Sequence, residues 1–180
     1  MQKSNSISEV RNKKRKSMKK GIDVDGVLAN FYLAFCMRFN MPIETINHWE
    51  RPWINEKFHD VENDHNFWAN LPVLNRPEEI SFEFDYYITS LPDNLKSARE
   101  EWLEKNGFPD KPVILSYDKS KTMKELGVDI LVDDRYQTIK EVHEAGLNGI
   151  QFVPYYMQPH DLHHLNIRNL HDAHDVFKIL

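Results

Sequence analysis

Two periodicities alternate along the chain. Runs rich in β-branched and aromatic residues predict five strands: residues 18–28, "FDYYITS" (84–90), "KPVILS" (111–116), "VDILVDD" (128–134) and "NGIQFVP" (148–154). Apolar residues at helical spacing lie between these strands, most clearly in "PDNLKSAREEWLEKNG", where Gly107 marks the end of a helix. Strands that alternate with helices predict an α/β fold, a Rossmann-like parallel sheet flanked by helices.

The segment after the first strand departs from this alternation. "FYLAFCMRF" (31–39) predicts a short helix. Residues 40–80 hold tryptophans, phenylalanines and prolines without a long period, which indicates several short helices. We therefore expect a small helical cap at 31–80, inserted after the first strand of a core domain that residues 18–30 and 81–180 form.

Composition narrows the class of protein. The 180 residues, 41% hydrophobic and 28% charged, suffice for one domain with an insert. No stretch is apolar for long enough to cross a bilayer, and the single cysteine, Cys36, rules out an internal disulfide, so we expect a cytoplasmic protein without a membrane partner. Cys36 lies in an apolar run and is expected to be buried. The histidines between His160 and His174 lack a zinc-ligand pattern and predict a polar surface tail.

Charge is distributed unevenly along the chain. Residues 1–20 hold eight basic residues and one acidic residue, and the remainder holds 15 basic and 27 acidic residues. A basic arm of this kind can bind nucleic acid. The strongly acidic remainder makes nucleic acid an unlikely partner, and residues 1–17 are too polar to order themselves, so a disordered tail is expected there. Met18 is an alternative start of translation.

Chemically active residues follow four of the predicted strands. They are Asp23 and Asp25 at the first strand, Thr89 and Ser90 at the second, Ser116 to Lys121 after the third, and Asp133 and Asp134 at the fourth. The carboxyl ends of parallel strands meet at one edge of a sheet, where α/β proteins bind their ligands. Several carboxylates at one site need a cation, and oxygen-only ligands suit Mg²⁺. Hydroxyls and a lysine beside them suit a phosphate.

These segments resemble a known family. "DVDGVLANF", "ITSLP", the lysine of "DKSK" and "LVDD" are similar, in order, to the four motifs of the haloacid dehalogenase (HAD) superfamily of phosphohydrolases. Within that superfamily, "DGVLANF", "FWANLP", "TS" and "DD" resemble most the 5′(3′)-deoxyribonucleotidases. The resemblance implies a Mg²⁺-dependent phosphatase that acts on a small phosphorylated substrate, a nucleoside 5′-monophosphate. The oligomeric state stays open, with a homodimer as one alternative to a monomer.

The resemblance also implies the roles of four aspartates. Asp23 would be the nucleophile that forms an aspartyl-phosphate. Asp25 would protonate the leaving alcohol and then deprotonate the attacking water. Asp133 and Asp134 would hold Mg²⁺ together with Asp23 and the backbone carbonyl of Asp25.

Thr89 or Ser90 and a lysine would hold the phosphoryl oxygens, again by resemblance. Lys119 follows Asp118 as in the nucleotidases and is the preferred lysine, with Lys121 as the alternative. Lys124 lies further into the predicted helix and is expected to face solvent.

The cap aromatics are the candidates for substrate contact. Phe31, Phe67 and Trp68 could stack on a nucleobase, although most aromatic residues of a small insert are needed for its own core. Two other functions stay open from the sequence. One is a 3′-phosphatase that acts on nucleic-acid ends, with the basic arm as anchor. The other is a non-catalytic HAD-fold binding module, which would have no need to keep the four aspartates.

Overall fold

A parallel sheet forms the centre of the molecule. The computed structural model describes residues 17–46, 52–159 and 165–180. Within them, six strands pair in the order β3-β2-β1-β4-β5-β6, with every pairing parallel. The strands are β1 (Lys20–Ile22), β2 (Tyr86–Thr89), β3 (Val113–Leu115), β4 (Ile130–Asp133), β5 (Asn148–Phe152) and β6 (Asn166–Ile167). The predicted α/β fold with a parallel sheet is confirmed.

Helices lie between and after the strands. The α-helices of the described residues are α1 (Phe31–Arg38), α2 (Pro52–Phe58), α3 (His65–Ala69), α4 (Lys96–Lys105), α5 (Lys119–Leu126), α6 (Tyr136–Glu144) and α7 (Leu170–Ile179). Short 3₁₀ helices occur at Ile43–Thr45, Pro77–Glu79 and Asp93–Leu95. The apolar faces of α4 and α6 pack against the strands.

The first strand is shorter than the predicted run 18–28. Pairing in β1 stops at Ile22 because the chain then curls around one carbonyl group. The backbone oxygen of Val24 accepts hydrogen bonds from the N–H groups of Val27, Leu28 and Ala29, at 2.8–3.3 Å. Such a loop uses the backbone groups that a longer strand would offer to its neighbours. Asp25 therefore lies in the loop rather than in the strand.

Backbone hydrogen bonds join the two ends of a segment that lies between β1 and β2. The N–H of Asn30 donates to the carbonyl of Pro72 at 2.7 Å, and the N–H of Leu74 donates to the carbonyl of Leu28 at 2.7 Å. Between these points the described residues form α1, α2, α3 and the 3₁₀ helix Ile43–Thr45. The aromatic residues of α1 and α3 join the same apolar core as the sheet. The division of the chain into a cap at 31–80 and a core domain stays a prediction.

The C-terminal residues correct the prediction of a polar surface tail. Residues 165–180 contain β6, which extends the sheet, and α7, which packs on the core through Leu170, Ala173 and Phe177. The three side chains recur at a helical spacing and form one apolar face. His171 and His174 lie on the exposed side of that helix.

Some predictions fall outside the described residues. They concern the disordered tail, of which only residue 17 is described, the three histidines within 160–164, and Trp49. Met18 is partly buried against the core. Cys36 is buried, as predicted. None of the helices in the described residues has the length and apolarity to span a membrane.

Candidate active site

The four predicted motifs converge on one edge of the sheet. β1 lies between β2 and β4, so that Asp23, Thr89 and Asp133 stand at the carboxyl ends of three adjacent strands. Lys119 reaches the same place from the start of α5. The carboxylate of Asp118 accepts a hydrogen bond from the N–H of Lys121 and caps this helix, which makes Lys119 its first residue.

A buried lysine joins two of the carboxylates. The Nζ of Lys119 lies 2.6 Å from Oδ2 of Asp23 and 2.6 Å from Oδ2 of Asp133. Asp133 is fixed further by the N–H of Arg135, which donates to its Oδ1 at 2.8 Å. All three charged side chains are almost fully buried. Because an isolated buried charge is costly, this contact network fixes the orientation of both carboxylates.

Burial and charge shift the pKa values of this group. Burial raises the pKa of Asp23 to about 7; the nearby Lys119 opposes the rise, and the carboxylates of Asp133 and Asp25 add to it. Burial alone would lower the pKa of Lys119, but Asp133 and Asp23 outweigh it and raise that pKa above its ordinary value. The lysine is therefore a permanent cation, whereas Asp23, with a pKa of about 7, is only partly ionised at neutral pH.

Three of the carboxylates could hold a metal ion. One oxygen each from Asp23, Asp133 and Asp134 lies within 4.8 Å of the others, and all three residues are buried. We call this group the carboxylate cluster. Its donors are oxygens only, which is the ligand type that Mg²⁺ prefers, and a divalent cation would offset the charge that raises the pKa of Asp23.

The position of Asp134 depends on Gly26. This glycine has a φ of +77°, and a Cβ built on it would lie less than 3.0 Å from three atoms of the Asp134 carboxyl group. The absence of a side chain at residue 26 therefore lets the loop after β1 pack directly on the carboxylate. Behind Asp134, burial first and the nearby carboxylate second raise the pKa values of the Tyr32 and Tyr156 hydroxyls, which stay neutral.

Asp25 has a partner that we did not predict from the sequence. The Nη2 of Arg99, in α4, lies 2.6 Å from both carboxylate oxygens of Asp25. The Oγ1 of Thr89 donates to Oδ2 of Asp25 at 3.4 Å. A signal for Arg99 exists in the sequence, since it shares the helical face of Leu95 and Trp102 and so interrupts a buried apolar stripe.

The remaining predicted phosphate ligands separate into two groups. Ser90 borders the same cavity as the aspartates, and its hydroxyl donates to the carbonyl of Ser116 at 2.8 Å. Lys121 is exposed and lies 3.9 Å from Glu125, outside the site. Lys124 is also exposed, as expected. The structure thus brings Lys119, and not Lys121, to the carboxylates.

A cavity of about 290 Å³ opens above the carboxylates. Phe31 and Trp68 form part of its wall, with their rings stacked at a centroid distance of 5.4 Å and an angle of 7°. Trp68 is buried, and its Nε1 donates to the carbonyl of Val61 at 2.8 Å. Phe67 does not border this cavity but faces a second one next to Met37 and Arg38, so the structure does not place it at the site.

Other residues border the mouth of the cavity without having been predicted. They are Ile54, Asn55 and Phe58 of α2, Tyr117 before α5, and Arg135 and Thr138 near the start of α6. Tyr117 is 72% exposed although it borders the site. A larger cavity, of about 900 Å³, lies between α4 and β3 and contains none of the residues of the four motifs.

Comparison with solved structures identifies the fold. Neither a protein-family model nor a curated protein sequence matches the chain. The structure is similar to the L-2-haloacid dehalogenase PA0810, with a TM-score of 0.58 and 13% identity over 89% of this chain and 99% of that one. A second dehalogenase gives a TM-score of 0.56 and 10% identity over 89% and 97%. The UTR4 protein of Saccharomyces cerevisiae gives 0.52 and 10% over 86% and 98%. The chain thus has the haloacid dehalogenase fold.

Proposed function

We propose that the protein is a Mg²⁺-dependent phosphomonoester hydrolase that acts through an aspartyl-phosphate. One observation carries the proposal: the Nζ of Lys119 bridges Asp23 and Asp133 at 2.6 Å, inside a cavity that Asp25 and Asp134 also border. This arrangement combines a fixed nucleophile, a permanent cation for phosphoryl oxygens and oxygen ligands for a divalent ion.

The residues divide the reaction into two steps. In the first, a carboxylate oxygen of Asp23 attacks phosphorus, the bond from phosphorus to the leaving oxygen breaks, and Asp25 gives that oxygen a proton. In the second, Asp25 takes a proton from water, which attacks the aspartyl-phosphate and releases phosphate. Lys119 and Ser90 bind the phosphoryl oxygens. Mg²⁺ held by the carboxylate cluster would supply positive charge to these oxygens and to Asp23.

The site favours a phosphatase over a dehalogenase, although two of the similar structures are dehalogenases. A halide leaves as an anion and needs no proton, so an acid beside the nucleophile would have no function in dehalogenation. In this chain Asp25 borders the same cavity as Asp23. The carboxylate cluster likewise fits a phosphate, whose charge a divalent ion offsets, better than a neutral carbon–halogen bond.

We propose nucleoside 5′-monophosphates as the substrate class. The cavity of about 290 Å³ is at the lower end of the roughly 300–1,000 Å³ of small-molecule sites. This size fits one mononucleotide better than a longer chain, which favours a nucleotidase over the end-processing 3′-phosphatase. The exposed ring of Tyr117 at the mouth offers a flat face to a base. Deoxyribose over ribose rests on the motif resemblance alone.

The substrate class has a direct test. We expect a kcat/KM for dTMP or dUMP that exceeds the value for glucose 6-phosphate by at least about tenfold, the gain from about 1.4 kcal/mol of base contact. A ratio at or below one would overturn the nucleotidase assignment and leave a phosphatase of other substrates. Faster turnover of a 3′-phosphorylated oligonucleotide than of either mononucleotide would favour the end-processing alternative.

Removal of divalent ions should abolish turnover. EDTA is expected to lower kcat below detection and Mg²⁺ to restore it, because a divalent ion would offset the charge of the carboxylate cluster and of the phosphoryl oxygens, which Lys119 alone does not balance. The measurement is phosphate release from dTMP before and after dialysis against EDTA, with Mg²⁺ and with Na⁺ of equal ionic strength. Activity that survives complete chelation would contradict the role of the carboxylate cluster.

Loss of the Tyr117 ring should weaken nucleotide binding specifically. We expect Tyr117→Ala to raise KM for dTMP by about 5- to 150-fold, since stacking on a base contributes about 1–3 kcal/mol. KM for acetyl phosphate, which has no ring, should not change. Tyr155→Ala is the matched control, because Tyr155 is 69% exposed and does not border the cavity. Equal effects of Tyr117→Ala on both substrates would exclude a stacking role.

A further inference from the structure

Arg99 is a fully buried cation behind the candidate site. None of its surface is exposed, and its Nη2 contacts both oxygens of Asp25 at 2.6 Å. The rings of Trp68 and Trp102 flank its guanidinium group, each with its centroid 5.8 Å away. Its Nε and Nη1 have no hydrogen-bond partner within the part of the chain that the structure describes.

Such an arrangement lowers the stability of the folded protein. A buried ion pair often contributes less to stability than apolar residues of the same volume, and each unpartnered N–H group adds a desolvation cost. Trp68 and Trp102 attract the cation through their ring faces, but this offsets only part of that cost. A methionine or leucine at residue 99 would continue the apolar face of α4. A function other than stability therefore explains the arginine better.

We propose that Arg99 is a positioning residue that holds Asp25 in the orientation needed for proton transfer to the leaving group. The inference rests on the proposed function, in which Asp25 is the general acid. Asp25 lies in the loop after β1, where its backbone forms an isolated bridge with Ala29 but is not paired with a strand of the sheet. The guanidinium group contacts it from the side of α4, and the Thr89 hydroxyl adds a weaker contact at 3.4 Å. A carboxylate held between two groups keeps one direction toward the departing oxygen.

The leaving group separates this role from a structural one. An alkoxide needs a proton in order to leave, whereas 4-nitrophenolate does not. We expect Arg99→Met to lower kcat/KM for a nucleoside 5′-monophosphate by about 10²-fold, the usual cost of a misplaced catalytic group, and to lower kcat/KM for 4-nitrophenyl phosphate by less than about threefold. Arg99→Lys, which keeps the charge in the same helix, should recover part of the loss on the nucleotide.

Two controls complete the experiment. Lys96→Met removes a cation from the exposed side of the same helix, where Lys96 lies 3.7 Å from Glu100, and should leave both rates unchanged. In an Asp25→Asn background, Arg99→Met should cause no further loss on 4-nitrophenyl phosphate, because its effect passes through Asp25. Thermal unfolding of each variant checks that it is folded.

The outcomes distinguish the two proposals. A selective loss on the nucleotide in Arg99→Met supports the positioning role. Equal losses on both substrates, or a further loss in the Asp25→Asn background, would overturn it while the phosphatase assignment stands. A wild-type protein that hydrolyses neither substrate in the presence of Mg²⁺ would overturn the proposed function, and the role of Arg99 with it.

Discussion

Asp23→Asn is expected to abolish turnover and, at the same time, to stabilise the metal-free protein above pH 7. An amide cannot form the acyl-phosphate, so kcat should fall by at least about 10³-fold. The amide occupies the same volume as the carboxylate, and Lys119 keeps its contact with Asp133 at 2.6 Å. The loss of activity should therefore not come from a loss of the fold.

The gain in stability follows from the pKa of Asp23. Its ordinary value is 3.8, and burial raises it to about 7 in the folded protein. Between these two pH values the folded state holds a proton that the unfolded state has lost, so the free energy of unfolding falls as pH rises through this range. An asparagine cannot titrate and escapes this loss. At pH 8 in EDTA we expect the variant to be more stable by on the order of 2 kcal/mol, and at pH 4 to show no gain.

Chemical denaturation at pH 4 and pH 8, together with phosphate release, tests both effects. Asp175→Asn serves as the control, because Asp175 is an exposed aspartate in α7 and pairs only with Lys178 in the described residues. It should change neither property. Activity of Asp23→Asn close to that of the wild type would contradict a mechanism through an aspartyl-phosphate on Asp23. A variant less stable than the wild type at pH 8 would show that Asp23 is ionised and well paired without a metal.

Gly26→Ala should remove activity by displacing Asp134, whose carboxyl group lies directly against Gly26. The new Cβ would lie less than 3.0 Å from three atoms of the Asp134 carboxyl group, so either the loop or the carboxylate must move. A displacement of about 1 Å in a catalytic group costs about 10²-fold in rate, and we expect a loss of at least this size. Weaker Mg²⁺ binding should accompany it, measurable by isothermal titration.

A second glycine provides the control for backbone strain. Gly146, after α6, has a φ of +76°, almost the same as the +77° of Gly26, but a Cβ there would meet nothing within 4 Å. Gly146→Ala should therefore lower the free energy of unfolding by about 1 kcal/mol, as an alanine at positive φ does, without changing kcat. Similar kinetic losses in the two variants would mean that strain, rather than the contact with Asp134, accounts for the effect.

The sequence is sufficient to predict at which edge of the sheet the candidate site lies, because that prediction depends only on where the strands end. Once four apolar runs are assigned as parallel strands, the residues that follow them must meet, and the structure does bring Asp23, Lys119 and Asp133 together. The preference for Lys119 over Lys121 came from a motif match. The capping of α5 by Asp118 gives its physical reason, since it fixes which lysine begins the helix.

Other features depend on contacts between distant segments. Arg99 pairs with Asp25 across 74 residues, and the apolar stripe that it interrupts in α4 does not reveal which residue it pairs with. Phe67 and Trp68 are neighbours in sequence, yet only Trp68 borders the cavity, because successive residues of α3 point in different directions. The C-terminal strand and helix were missed because their polar residues outnumber the few apolar ones that pack.

The central place of β1 has a consequence for how the protein fluctuates. This strand is paired on both sides, with β2 and with β4, so local opening at the sheet edges does not expose it. The short helix α2 is not hydrogen-bonded into the sheet, and Ile54 is its one buried residue. Amide hydrogens of β1 should therefore exchange only through global unfolding, and those of α2 much earlier. Opening of α2, which lines the cavity through Ile54, Asn55 and Phe58, would thus leave Asp23 in place directly after β1.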